Sequence, residues 1–137
     1  MCCKMIARLN ALVYYGKDIQ QHIDNWDFLV DIAACRNGSV IYDKKVDDYL
    51  GLHRIRIPRC DISKYIPTEI SFFTPTEDDD FVGWFHTGLV TAVKDNIWTI
   101  VNYMGTSDEL ITNVPRETIN FNEEDSMNDR HHYLLLK

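Results

Sequence analysis

The sequence predicts an α+β fold in which helices come first and an antiparallel β-sheet follows. Between residues 3 and 34 the apolar residues recur at helical spacing. After residue 53 the apolar segments are short and rich in Val, Ile, Phe and Trp, as in strands. The turn Lys94-Asp95-Asn96 separates two of these segments, which predicts a β-hairpin. Helices followed by an antiparallel sheet are the order typical of the α+β class.

Each element follows from a local pattern with a start or stop signal. Gly16 ends the first helical pattern, Asn37-Gly38 ends the second and Pro58 stops the first strand. Helices are predicted at 3–15, 19–34 and 45–50, one helical turn at 61–65, and strands at 53–57, 70–73, 87–93, 97–103 and 110–114. Residues 115–118 suggest a turn or helix start. The apolar run 133–136 leaves three alternatives open: an edge strand, a docked tail or a disordered end.

Length and composition predict a single domain, 1–137, that needs no membrane. The chain has 137 residues, of which 45% are apolar and 26% charged, as in ordinary globular proteins. No apolar run approaches the roughly 20 residues of a membrane span, and no secretory signal is recognisable. We therefore expect a cytoplasmic protein, with a phage-encoded or exported protein as the open alternatives. Its core is expected within 3–120 and a polar tail at 121–137. The net charge of −7 argues against non-specific binding to nucleic acid or anionic membranes.

Neither the cysteines nor the acidic runs predict a metal site or a cofactor. Cys2 and Cys3 are adjacent, and Cys35 and Cys60 are far from them, so reduced thiols are expected. No CxxC or HxxxH pair provides zinc spacing. The acidic runs 77–80 and 123–125 lack the ligand spacing of an EF-hand and are interpreted as solvated loops.

Three polar residues are candidates for catalysis. His86 precedes the first hairpin strand, and Asn102 lies in the second, where an amide needs a hydrogen-bonding partner. Cys3 stands at the amino end of the first predicted helix, where partial positive charge favours a thiolate and free N–H groups suit an oxyanion. Taken alone, the position of Cys3 is better explained by an inert residue in a frayed terminus.

The order of these residues resembles the papain-like cysteine peptidases that process bacteriocin leaders. Their nucleophile helix runs from the catalytic Cys to a Tyr-Tyr-Gly, as Cys3 runs to Tyr14-Tyr15-Gly16 here. The spacing of 16 positions (102 − 86) between His86 and Asn102 suits the family's His strand and Asp/Asn strand. Residues 49–52 and 66–73 resemble the segment before the central strands and the strand before the catalytic His. The similarity covers roughly residues 3–120.

This resemblance implies a papain-like fold and a thiol hydrolase that cleaves an amide bond in a peptide or protein. Cys3 would be the nucleophile, His86 the general base and acid, and Asn102 the residue that orients the imidazole. CHAP peptidoglycan amidases are the next nearest family, and a catalytically inactive papain-like domain that binds a protein partner is the alternative function. The chain has Lys4-Met5 for the family's Gly-Pro, Asn102 for Asp, and no glutamine before Cys3.

Other residues leave alternatives open. If Met1 is removed, Cys2 becomes an amino-terminal nucleophile candidate, whereas Cys35 falls at a helix carboxyl end, where the dipole opposes a thiolate. The aromatic residues near the site either line a substrate groove or pack behind the hairpin; they are Trp84, Phe85 and Trp98.

Overall fold

A computed structural model of the chain describes residues 3–35, 40–74, 84–95, 97–101, 116–120 and 131–137. Side chains are described for these residues except Cys3, 72–74, 84–86, Ile97 and 116–120. Helices precede an antiparallel sheet in the described residues, which confirms the predicted α+β class. No helix in these ranges is long and apolar enough to cross a membrane.

Four α-helices and a 3-10 helix were assigned in the described residues. They are α1 (Cys3–Tyr14), α2 (Gln20–Asp24), α3 (Trp26–Ala33), α4 (Asp43–Leu50) and the 3-10 helix Arg59–Lys64. After α1 the chain turns at Gly16, whose φ of +77° is readily adopted only by glycine. The helix predicted at 19–34 is two helices, because the backbone leaves helical geometry at Asn25 (φ −106°, ψ 31°).

The strands of the described residues form one six-stranded sheet in the order β1-β6-β2-β3-β4-β5. They are β1 (Leu52–Arg56), β2 (Thr68–Thr74), β3 (Trp84–Lys94), β4 (Ile97–Val101), β5 (Arg116–Asn120) and β6 (His131–Leu136). Every neighbouring pair is antiparallel. The predicted hairpin is confirmed, with Lys94 opposite Ile97 and Asp95 at a φ of +52°. The strand predicted at 110–114 lies outside the described residues.

The carboxyl-terminal segment corrects two expectations. A turn or helix start was predicted at 115–118, but Arg116–Asn120 pair with β4 as a strand. Within the expected tail, β6 lies between β1 and β2 and pairs with both. Leu134 of β6 is fully buried, since it packs against Ala7 and Ala11 of α1. Residues 131–136 therefore belong to the core, because β6 forms backbone hydrogen bonds with both β1 and β2.

The two faces of the sheet carry different layers. On one face, called the α1 face, Leu89 and Leu134 contact Ala7 and Ala11. Beside them the helices enclose a cluster that contains Met5, Ile6, Leu9, Leu12, Leu29, Ala33, Val46, Leu50 and Leu52. The opposite face carries Ile57, Ile70, Val90, Trp98 and Ile100, and Ile62 of the 3-10 helix packs with them. The α1 face is therefore where the predicted nucleophile helix meets the hairpin.

Candidate functional site

Cys3 is the first residue of α1, at the position where a helix exposes its free N–H groups. Positions 3, 7, 11 and 15 repeat every four residues and therefore share one stripe of the helix. Ala7 and Ala11 of this stripe contact the sheet, and the Tyr15 hydroxyl donates to the Leu134 carbonyl at 2.8 Å. Small side chains at positions 7 and 11 therefore bring α1 close to the strands.

The direction of α1 across the sheet follows from charges and hydrogen bonds near its two ends. The positive charges of Arg8 and Lys4 act on Glu69, which pairs with Leu89 of β3. At the carboxyl end of α1, Tyr15 hydrogen-bonds to Leu134 of β6. Leu134 follows Tyr133, which pairs with Thr68 of β2. Residues 4 and 8 of α1 are therefore on the side of Glu69, and Tyr15 is on the side of Leu134. His86 is three positions from Leu89 (89 − 86), or about 10 Å along a strand.

The register of β2 and β3 assigns alternate positions to the two faces. Residues that pair across strands share a face, and successive residues change face. One set comprises Glu69↔Leu89 and Ser71↔Thr87, and the other comprises Thr68↔Val90, Ile70↔Gly88 and Phe72↔His86. Leu89 lies on the α1 face and Val90 on the opposite face. Position 87 therefore belongs to the α1 set, and position 86 belongs to the set that contains Val90.

The Ser71–Thr87 pair is a polar contact on the α1 face that sequence analysis missed. The two hydroxyl oxygens are 3.2 Å apart, and both residues are buried. Their neighbour Leu89 packs with Ala7 and Ala11 of α1. The sequence contained only a weak signal for this pair, because polar residues alternate with apolar ones along many strands.

The remaining predicted site residues fall partly outside the described residues. Asn102 is outside them, although Val101, which precedes it, pairs with Leu89. Trp84 and Phe85 are the first two residues of β3, and their side chains are not described. Trp98 is 3% exposed and packs among apolar residues on the face opposite α1. The burial of Trp98 therefore favours packing behind the hairpin over a place in a substrate groove.

The cysteines differ from the expectation of reduced thiols. Cys35 is disulfide-bonded, so that expectation is wrong at this residue. Cys60 is a free thiol and is exposed. Cys2 and the side chain of Cys3 lie outside the described part of the chain. Any measurement of thiol reactivity therefore needs reduced protein, with Cys60 as an internal example of an ordinary exposed thiol.

A buried ionic cluster lies next to the first turns of α1. It consists of Arg8, Asp43, Asp47, Arg54 and Glu69. Arg8 Nε and Arg54 Nε donate to the two oxygens of Asp47 at 2.8 and 2.9 Å, and Arg8 also pairs with Asp43. Arg54 donates to both oxygens of Glu69. The cluster therefore links α1, α4, β1 and β2.

The electrostatics of the cluster favour its charged form. Burial alone would raise the pKa of Glu69, but the charges of Arg54 and Arg8 and the hydrogen bonds from Arg54 lower that pKa to about 2. Burial likewise opposes the charge of Arg54, yet Glu69 and Asp47 raise its pKa above the ordinary value. Sequence analysis missed the cluster because its partners are up to 39 positions apart.

Next to this cluster, burial lowers the pKa of His132, and the charge of Arg54 lowers it further. This imidazole is therefore biased toward its neutral form, which avoids adding another positive charge beside Arg54.

Comparison with known proteins adds no relative. No protein-family model matches the chain, and neither the curated proteins nor the solved structures contain a significant match.

Proposed function

We propose that the chain is a papain-like thiol hydrolase that cleaves an amide bond in a peptide, with Cys3, His86 and Asn102 as its triad. The observation that carries the proposal is the position of Cys3. It begins a 12-residue helix whose sheet-facing stripe lies against β3, the strand that contains His86. The helix dipole at this end stabilises a thiolate.

The proposed chemistry needs a nucleophile, a proton carrier and donors to the oxyanion. The Cys3 thiolate attacks the carbonyl carbon and forms a C–S bond, while the C–N bond breaks and His86 gives a proton to the leaving amine. Water, deprotonated by His86, then hydrolyses the thioester. Asn102 accepts the other ring N–H of His86 and fixes the orientation of the imidazole.

Backbone N–H groups of the first turn of α1 are the proposed donors to the oxyanion. The family uses a glutamine upstream of its cysteine for an additional donor, and neither Met1 nor Cys2 is one. One oxyanion donor typically lowers the barrier by about 2.7–4 kcal/mol. The backbone donors of the first turn would therefore contribute a large part of the rate enhancement. A peptide and the peptide part of peptidoglycan offer the same amide group, so CHAP-type amidase activity is the variant of this proposal with a cell-wall substrate.

The second candidate is an inactive papain-like domain that binds a protein partner. The observation that favours it is the register of β3, because position 86 belongs to the set opposite α1 whereas position 87 belongs to the α1 set. A triad requires the imidazole within hydrogen-bonding distance of the thiol, about 2.6–3.2 Å in a productive complex. The reactivity of the thiol separates the two candidates.

The experiment is limited labelling of the reduced protein with iodoacetamide at about pH 6, below the ordinary thiol pKa of about 8.5. Peptide mapping then compares Cys3 with Cys60, the exposed thiol. The hydrolase predicts that Cys3 is labelled at least about tenfold faster and that His86→Ala removes this excess. His53→Ala, which replaces an exposed histidine of β1, is the matched control and should leave it unchanged.

Two results would contradict the hydrolase. Equal slow labelling of all four thiols would favour the inactive binding domain. Preferential labelling of Cys2 would instead assign the nucleophile to the neighbouring residue, and Cys2→Ser and Cys3→Ser variants distinguish the two positions.

The compartment stays a prediction. Disulfides are typical of oxidising compartments, so the bond at Cys35 gives no support to the expected cytoplasmic location.

A further inference from the structure

The disulfide of Cys35 connects the carboxyl end of α3 to another part of the chain. Cys35 is disulfide-bonded, whereas Cys60 is a free thiol. The chain contains four cysteines, so the two that are left as the partner of Cys35 are Cys2 and Cys3. The bond therefore involves the amino-terminal pair to which the proposed nucleophile belongs.

The backbone fixes the position of Cys35 at the end of α3. Ala34 adopts the left-handed conformation, with a φ of +49°, and its N–H donates to the Asp31 carbonyl. The Cys35 N–H donates to the Val30 carbonyl at 3.1 Å, so both groups complete the last turn of the helix. Cys35 is partly exposed and packs against the apolar cluster that the helices enclose. It is therefore held in place and still accessible to a small reductant.

The first turn of α1 contributes to the same apolar cluster. Met5 and Ile6 are at most 1% exposed and belong to the cluster against which Cys35 packs. Cys3 begins α1 two residues before Met5, about 3 Å along the helix axis. A disulfide needs its two Cα atoms about 4.4–6.8 Å apart. The start of α1 and the end of α3 meet at one cluster, and Cys3 is the member of the pair that belongs to α1.

We propose that the disulfide joins Cys3 to Cys35 and is a redox switch of the proposed active site. In the oxidised chain the Cys3 sulfur is bonded to Cys35 and cannot attack a carbonyl carbon, since the nucleophile is the thiolate. Reduction releases the thiolate and starts hydrolysis. The regulation of activity rests on the proposed function, whereas the bond between the two residues does not.

The switch operates by thiol–disulfide exchange with a dithiol reductant. One thiolate of the reductant attacks the partly exposed Cys35 sulfur, which forms a mixed disulfide and releases the Cys3 thiolate. The second thiolate attacks the reductant's own sulfur in this mixed disulfide and releases Cys35. The reductant becomes a disulfide and gives up two electrons, and its two protons pass to the solvent or to the released thiolates. The helix amino end stabilises the Cys3 thiolate, which makes Cys3 the better leaving group.

The first test is a tryptic map of the non-reduced full chain after its free thiols have been blocked with N-ethylmaleimide. Trypsin places the cysteines on three peptides, 1–4, 18–36 and 60–64. The expected result is a cross-link between peptides 1–4 and 18–36, with maleimide on Cys60. Fragmentation of the cross-linked pair should assign the bond to Cys3 and the maleimide to Cys2. The Cys2→Ser variant should retain the cross-link.

The second test is limited labelling with iodoacetamide at about pH 6, before and after reduction with dithiothreitol and its removal. Before reduction, Cys3 should be labelled at least about tenfold more slowly than Cys60. After reduction the order should reverse, with Cys3 at least about tenfold faster. Cys35→Ser should make Cys3 reactive without reduction. Cys60→Ser is the matched control, and its Cys3 should still need dithiothreitol.

The outcomes separate failure of the switch from failure of the hydrolase. The switch would be overturned if peptide 18–36 were bonded to Cys2 or to peptide 60–64, or if it carried a free thiol, even where Cys3 is the fastest thiol to react. A Cys3–Cys35 bond whose reduction leaves Cys3 no more reactive than Cys60 would instead contradict the hydrolase. Regulation of activity would then be excluded, although the bond itself would stand.

Discussion

Arg54 and Glu69 are joined by two parallel hydrogen bonds across the α1 face of the sheet. Arg54 Nη1 donates to Glu69 Oε1 at 2.9 Å, and Nη2 donates to Oε2 at 3.2 Å. Arg54 lies on β1 and Glu69 on β2, and β6 lies between these strands. The pair therefore spans a strand that comes from the last residues of the chain. Glu69 is only 3% exposed, so each charge depends on the other for compensation.

Glu69→Gln should destabilise the protein strongly. It leaves the positive charges of Arg54 and Arg8 with only the carboxylates of Asp47 and Asp43. Breaking a buried ion pair by removing one partner costs about 3–5 kcal/mol, and the lower end is expected here because Asp47 still binds Arg54. Urea denaturation measures the loss as a decrease in the free energy of unfolding.

Asp48→Asn is the matched control for that measurement. Asp48 pairs with Lys44 and Lys137 at the surface, and all three side chains are substantially exposed. Its removal should change the free energy of unfolding far less than Glu69→Gln does, because water screens exposed ion pairs. Equal effects of the two variants would contradict the structural importance of the buried cluster.

The free energy of unfolding should decrease as the pH falls below about 4.5, because the stabilising contribution of the ionised Glu69 is lost. Its pKa is about 2 in the folded chain and 4.5 when unperturbed, so the unfolded state binds the proton first. The stabilisation is complete above the unfolded pKa and is lost between about pH 4.5 and about pH 2, with a total of about 3 kcal/mol.

The measurement is the free energy of unfolding against pH for the original protein and for Glu69→Gln. The difference between them should shrink as the pH falls through this window. Asp48, whose pKa is also lowered to about 2 by Lys137 and Lys44, titrates in the same window. Its exposed contribution should weaken with added salt, whereas that of Glu69 should persist. A difference that stays constant with pH would contradict the assignment to Glu69.

Ala11→Leu should separate α1 from the sheet. Ala11 is 0% exposed and contacts Leu89 and Leu134, so there is no room for a larger side chain without displacement. Overpacking of this kind typically costs about 1–3 kcal/mol. Thermal unfolding measures the loss, and Val13→Leu, on an exposed position of the same helix, should leave the midpoint nearly unchanged. A stable Ala11→Leu variant would contradict the close packing of this stripe.

Removal of residues 131–137 should abolish cooperative folding. β6 pairs with β1 through five residue pairs and with β2 through three, and its loss exposes the edges of both strands. Circular dichroism and thermal unfolding of the shortened chain test this expectation. Removal of Lys137 alone loses one backbone hydrogen bond to Gly51 and one surface ion pair, so that variant should still fold cooperatively. A cooperative transition without β6 would show that the strand is dispensable.

The local elements were predicted well where short-range signals decide them. The spacing of Ile6, Leu9 and Leu12, with Gly16 as the stop, predicted α1, and the run around Lys94-Asp95-Asn96 predicted the hairpin. The break at Asn25 was missed, because apolar residues on both sides continue the helical spacing. The role of 131–136 was also missed, since a run of three leucines does not reveal which strands it will join.

For the candidate site too, local signals predicted some features and long-range contacts decided the others. The sequence by itself determined that Cys3 begins a helix and that His86 lies next to the first strand of the hairpin, because each depends only on neighbouring residues. The structure extends that strand back to Trp84 and so includes His86. Only the tertiary structure decided that α1 lies across β3 with Ala7 and Ala11 against Leu89 and Leu134. It also decided which face position 86 belongs to and that Arg8, Asp47, Arg54 and Glu69 meet in one cluster. These relationships join residues from distant parts of the chain, and their energies come from packing and desolvation that local sequence patterns do not record.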